Sequence, residues 1–228
     1  MTALMGSIDR NDPYMKWRRL LLACATLLAA SFSAGAASDV ADPAVVKIRT
    51  FYDTLLTVMQ QADKLGIRGR YDKLAPSIHT TFDLAAMTRI AIGPGWNSIA
   101  PEQQAALVEN FSRMTIATYA NRFDSYSGER FEVDATAEPR NNGRIVHTKL
   151  FPSTGEPVTL NYLMRSSGDA WNVVDVYLTG TISELATRRS EFSAILNSGG
   201  PNALIESLRQ QTGKMMRSSS AGPGAGAR

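Results

Sequence analysis

The chain has 228 residues, 44% of them hydrophobic, with a formal net charge of +3 and one cysteine, Cys24. Four basic and two acidic residues lie before Ser38, so 20 Lys and Arg face 19 Asp and Glu from there on, with no cysteine among them. That balance lacks the basic footprint of a nucleic-acid binder, and a cysteine-free chain excludes disulfides and thiolate metal sites.

The N-terminal segment reads as a targeting signal. Lys16, Arg18 and Arg19 precede the apolar stretch Leu20 to Phe32, and Ser33-Ala34-Gly35-Ala36-Ala37 carries a small-x-small cleavage pattern. Cleavage is expected near Ala36 or Ala37, with Met15 as the true start and the residues before it an upstream extension. A stretch of 13 apolar residues is too short to span about 30 Å of hydrocarbon. Leu21-Leu22-Ala23-Cys24 has the look of a lipoprotein box, but too few apolar residues separate it from Arg19. The expected organisation is therefore residues 1–37 as extension and signal, one domain over 38–216, and a disordered Ser/Gly/Ala tail over 217–228.

Two helical blocks flank a strand region. Asp42-Pro43 is a helix start, and Val45, Ile48, Phe51, Tyr52, Leu55 and Met59 recur at helical spacing to about Lys64. Gly66 and Gly69 read as breaks, and Tyr71 to Ile78, with Pro76, as a short turn-rich or helical piece. Asp83 caps a short helix through Ile92, which Gly93-Pro94-Gly95 ends. Pro101-Glu102 opens the longest helix, whose broad apolar face runs from Leu107 and Phe111 through Met114 and Tyr119 to Phe123. The period then changes to two: Phe131 to Ala135, Arg144 to Phe151, Val158 to Met164 and Ala170 to Leu178, separated by Asn141-Asn142-Gly143, Pro152 to Gly155 and Ser167-Gly168-Asp169. Ser183 caps a further helix, and Gly199-Gly200-Pro201 divides it from a last one that fades near Met216.

The predicted fold class is α+β: a four-stranded antiparallel meander covered by helices, with an NTF2-like or cystatin-like architecture enclosing an apolar pocket. The inward candidates are Val158, Leu160, Tyr162, Met164, Val174, Val176 and Leu178 on the sheet. Phe51, Leu55, Phe82, Met87, Phe111 and Met114 face them from the helices. Periodicity alone leaves two outcomes open, an ordinary filled core or a cavity.

Candidate chemistry is sparse. His79 and His147 are the only histidines and have no partner at zinc-ligand spacing. There is no nucleophile elbow, phosphate loop or dinucleotide fingerprint. Asp175, within Val173-Val174-Asp175-Val176-Tyr177, is the one suggestive acid. It is either a general base in a sheet-lined pocket, as in an NTF2-like isomerase, or a structural carboxylate paired on the face opposite its apolar neighbours. No catalytic residue, metal ligand or cofactor is assigned.

Trp171-Asn172-Val173-Val174-Asp175-Val176-Tyr177-Leu178-Thr179-Gly180 resembles the W-x-V-x-D-V-x-x-x-G strand of the MlaC family, the toluene-tolerance auxiliary components of lipid ABC transporters. The Arg188 to Phe192 run, Gly199-Gly200 with Leu204-Ile205-Leu208, Tyr119 to Phe131, Phe82 to Met87 and Pro101-Glu102-Gln103 resemble further family landmarks, across roughly residues 40–212. Thr181 to Ala186 is similar to the hopanoid-associated HpnM branch. The resemblance implies a periplasmic, monomeric shuttle without enzymatic activity. It would bind a phospholipid or hopanoid in a helix-and-sheet pocket, dock on an inner-membrane lipid transporter and meet an outer-membrane lipoprotein acceptor. The physics of a carrier is consistent with so few reactive residues. About 30 lipid methylenes exposed to water cost on the order of 24 kcal/mol, so a pocket needs to cover tails far more than to grip a head group. An envelope interaction module with the same fold but a filled core is the non-transport alternative.

Overall fold

A computed structural model describes residues 41–168 and 170–218. The expected signal segment, the Met15 start, Cys24 and all but the first residues of the tail lie outside the described residues.

Five helices and seven strands follow in order. Helix α1 (Pro43–Gln60) begins where Asp42 Oδ1 accepts from the Ala44 amide at 3.0 Å, and it buries Val45, Ile48, Phe51, Tyr52 and Leu55. Helix α2 (Ala62–Thr81) keeps the expected break at Gly66 and corrects the one expected at Gly69. The chain does kink at Gly66 (φ 59°, ψ −178°), a conformation open essentially only to glycine. It then resumes and runs through Gly69 and the exposed Pro76, because Ile67, Leu74 and Ile78 bury one helical stripe. Helix α3 (Leu84–Ile92) starts on Asp83, whose carboxylate accepts from the Ala86 amide at 2.9 Å. A 3₁₀ turn (Gly93–Ser98) leads to α4 (Pro101–Arg122).

The strands are β1 (Arg130–Val133), β2 (Glu138–Arg140), β3 (Gly143–Val146), β4 (Thr148–Phe151), β5 (Val158–Ser167), β6 (Ala170–Leu178) and the short β7 (Ile182–Ser183). The expected meander is present, with its second strand broken in two and an additional strand, β2, ahead of it. β3 and β4 both pair antiparallel with β5 and are parted at His147; β2 and β1 pair with β3 and β4 in turn. The Asn141-Asn142 turn closes the first hairpin, with Arg140 opposite Gly143. β6 lies along the other side of β5, and its register slips between Leu163 and Met164: Asp175 faces Leu163, Val173 faces Met164, and Val174 has no partner. Such a bulge bends the strand and re-aims its side chains.

Helix α5 (Glu184–Ser218) closes the chain. Gly200 (φ 68°, ψ −170°) kinks it, so Glu184 to Gly199 and Pro201 to Ser218 act as two helical arms, as the Gly-Gly-Pro signal predicts. The core between sheet and helices is aromatic at its centre. Phe51 meets Phe82 and Tyr119 edge-on at 5.3 and 5.4 Å, and Tyr52 stacks on Phe131 at 4.2 Å. No helix among the described residues is long and apolar enough to cross a membrane.

Candidate functional site

One cavity of about 120 Å³ lies between the β5–β6 face of the sheet, α3, α4 and the first arm of α5. Eight of the predicted pocket residues meet there: Phe82, Met87, Phe111, Met114, Leu160, Tyr162, Val176 and Leu178. The other five do not. Phe51, Leu55 and Met164 are wholly buried in the close-packed core. Val174 is buried but lines neither the cavity nor the main apolar core, because the bulge removes it from the alternation. Val158 is 40% exposed near the start of β5. The open volume is also below the few hundred Å³ expected for hydrocarbon, and below the 300–1,000 Å³ usual for ligand pockets. Large side chains have taken much of the space.

The wall is continued by Thr115, Thr118, Tyr119, Phe123 and Leu185, and the edge by Arg122, Glu184 and Arg188. Sequence reasoning missed the charged edge, although a signal was present. Phe111, Met114, Thr118 and Arg122 fall at 3–4-residue intervals, so one stripe of α4 turns from apolar to cationic as it leaves the core. Glu184, Leu185, Arg188 and Phe192 repeat this on α5.

The floor carries a tyrosine network. Tyr52 Oη and Thr148 Oγ1 lie 2.6 Å apart, and Tyr162 is hydrogen-bonded to both Tyr52 and Tyr119. Burial pushes the Tyr52 phenol up to about 12, partly offset by its bonds to Thr148 and Tyr162. Burial likewise raises Tyr119 and Tyr162, the latter having the other two phenols as neighbours. All three stay neutral at physiological pH. Of the three, Tyr119 and Tyr162 line the chamber, and Tyr52 lies in the core behind them.

Asp175 sits outside the cavity lining. Its Oδ2 accepts from Ser183 Oγ at 2.6 Å, and its Oδ1 from the amides of Val176 at 2.8 Å and Leu185 at 3.2 Å. Ser183 Oγ in turn accepts from the Ala186 amide at 2.9 Å. The carboxylate thus secures the start of α5, the favourable end of the helix dipole for a negative charge. This matches the structural alternative for Asp175, with backbone and hydroxyl partners rather than a basic one. His147 Nε2 lies 2.8 Å from Glu138 Oε2 on the surface, and His79 is exposed. Among the described residues no group of three or more His, Cys, Asp or Glu could hold a metal ion. What the site offers is a small, mostly apolar chamber with a charged lip.

The MlaC protein family model matches residues 49–210. None of the curated proteins matches the chain. Among solved structures, a phospholipid-binding protein from Ralstonia solanacearum, determined in complex with a phospholipid, is similar in fold. The TM-score is 0.68 at 21% identity, over 77% of this chain and the whole of that one. With the family model covering most of its length and the same α+β architecture in a solved structure, this chain belongs to the MlaC family.

Proposed function

We propose that the protein is a periplasmic carrier that takes up a lipid tail-first between the β5–β6 face and the α4–α5 helices, and releases it unchanged. The observation that carries this reading is the apolar chamber open at a charged edge, with eight of the expected inward side chains in its wall. Family membership and the phospholipid held by the Ralstonia protein of similar fold support it. The chamber is too small for two acyl chains, so loading parts α4 from α5. Met87 and Met114 in the wall can reshape at low cost, and the Gly200 kink lets the two arms of α5 move separately. A mature chain with nearly equal numbers of acids and bases suits a monomer that must leave both membranes. In this reading it docks on an inner-membrane transporter and on an outer-membrane lipoprotein. A phospholipid and a hopanoid are both compatible with the apolar wall.

The test is mass spectrometry of organic extracts from protein purified out of the periplasm. A stoichiometric lipid is expected, and its head group decides between phospholipid and hopanoid. Leu160→Trp, which places an indole in the chamber, should purify folded but empty. Wild-type protein that carries no lipid and takes none from vesicles would refute the carrier reading.

A further inference from the structure

The second arm of α5 lies beside α4 and runs in the same direction. At its base Gln103 Nε2 donates to Asn202 Oδ1 at 2.9 Å, and near its tip Met215 meets Thr118. The two ends are held differently. Leu204, Ile205 and Leu208 are buried in the core, Leu204 and Leu208 completely. From Arg209 to Arg217 no residue is buried. Helices in proteins draw most of their stability from packing, so the tip is the weak end of this arm.

The local sequence weakens it further. Gly213 stands inside the helix, where only proline is a poorer former. Beside it, Thr212 turns its hydroxyl back to the Leu208 carbonyl at 2.9 Å, a bond that favours bending. Packing does not demand the glycine, since a methyl there would meet only the far end of the flexible Arg217 side chain, at 3.3 Å and beyond. The contact between Thr118 and Met215 is also a poor clasp. A hydroxyl has one hydrogen, and Thr118 Oγ1 lies 2.8 Å from the Met114 carbonyl but 3.5 Å from the Met215 sulfur, so the carbonyl takes it.

The tip covers the flank of the chamber. A depression of about 220 Å³ lies between α4 and the tip, with Gln211, Lys214 and Met215 as its outer bank. Its inner side is Met114, Thr118, Arg122 and Arg188, all of which also line the chamber. Lifting the tip opens this flank without moving the buried base.

We propose that the tip of α5, from Arg209 to Arg217, is a latch, and that its local unwinding at Thr212 and Gly213 sets the rate at which lipid enters and leaves the chamber. The proposal rests on the carrier reading and adds its control. The base of the arm stays in place throughout, so the gate is a few residues and not the whole helix.

The experiment is exchange of phosphatidylglycerol with a pyrenyl tail between loaded, periplasm-purified protein and unlabelled phosphatidylglycerol vesicles. Thr118→Cys/Met215→Cys is closed with a short methanethiosulfonate cross-linker that dithiothreitol removes; the chain from Ser38 on has no other thiol. Cross-linking should slow exchange at least about tenfold, and reduction should restore it. Gln103→Cys/Asn202→Cys, linked the same way at the base, should leave the rate unchanged. Gly213→Ala, in which no cross-linker is needed, should slow exchange about fivefold, the ratio set by the helix preference of alanine over glycine. Exchange unaffected by the tip cross-link, equal slowing by the base cross-link, an unchanged rate in Gly213→Ala, or thiols at 118 and 215 that fail to link in native protein each overturns the latch and leaves the carrier reading intact. No exchange by wild type overturns both.

Discussion

Asp175→Ala separates a structural carboxylate from a catalytic one. The side chain is only 8% exposed and accepts from Ser183 Oγ, Leu185 N and Val176 N. The Val176 bond spans adjacent residues and is poorly placed to matter, so two long-range bonds carry the effect. Hydrogen bonds to a charged acceptor contribute about 1.5–3 kcal/mol each, and truncation leaves the Leu185 amide unsatisfied at the helix start. A loss of roughly 4 kcal/mol is expected, and for a domain of this size each kcal/mol moves Tm by about 2–4 °C, giving a fall of roughly 8–15 °C. Asp175→Asn keeps an acceptor for Leu185 and should cost about half as much. Thermal unfolding followed by circular dichroism measures both, alongside the lipid retained by folded protein at low temperature. Asp175→Ala melting within about 3 °C of wild type would refute the anchoring argument, as would loss of bound lipid with an unchanged melt.

Three further outcomes follow from single features. The buried phenols predict an alkaline transition: a group whose proton is held more tightly in the folded state stabilises the fold below its unfolded pKa and loses that contribution as pH rises. Stability measured by urea titration should stay flat to about pH 9.5 and fall between about 10 and 12, by up to about 1.4 kcal/mol per pH unit for Tyr52 alone, with Tyr52→Phe flattening the slope. Gly200→Ala meets no neighbouring atom within 4 Å, so its cost is backbone strain alone, about 1–3 kcal/mol by chemical denaturation. Arg70→Met should cost about 2 kcal/mol or more, since the buried guanidinium donates to Ala120 O at 2.8 Å and Ala62 O at 3.1 Å and both carbonyls lose their donors; the loss is read from the urea midpoint at constant m-value.

The sequence was legible wherever a signal was local. Asp42, Asp83 and Ser183 cap the helices they were expected to cap, and Pro101 opens α4. The alternation and turn residues located the meander. What failed was decided by contacts distant in sequence. Gly66 breaks the helix as expected, but Gly69 does not, because burial of Ile67, Leu74 and Ile78 carries the second segment past it. The break at His147 arises from pairing on both sides of the same strand, which no single strand can announce. Val174 was misplaced because a period of two cannot register an inserted residue. Phe51 and Met87 look alike in sequence, apolar residues on helical stripes. One fills the core and the other walls the chamber only because elements from four parts of the chain converge differently around them.

That distinction has an energetic consequence. An enclosed apolar space of about 120 Å³ would cost roughly 3 kcal/mol relative to a packed interior, at about 24 cal/mol per Å³, and a chamber open at one edge costs less than that. A chain under selection for stability alone would fill it with larger apolar side chains. Thr115 lines the chamber from mid-α4 with its hydroxyl bonded back to the Phe111 carbonyl at 2.9 Å. Thr115→Ile keeps the branched Cβ, removes the hydroxyl and extends into the space, so lipid-free protein should gain about 1 kcal/mol by urea denaturation. If the space exists to receive hydrocarbon, the same substitution should lower lipid retention, because ligand and side chain compete for one volume. A gain in stability with undiminished lipid retention would place the cargo somewhere other than this chamber.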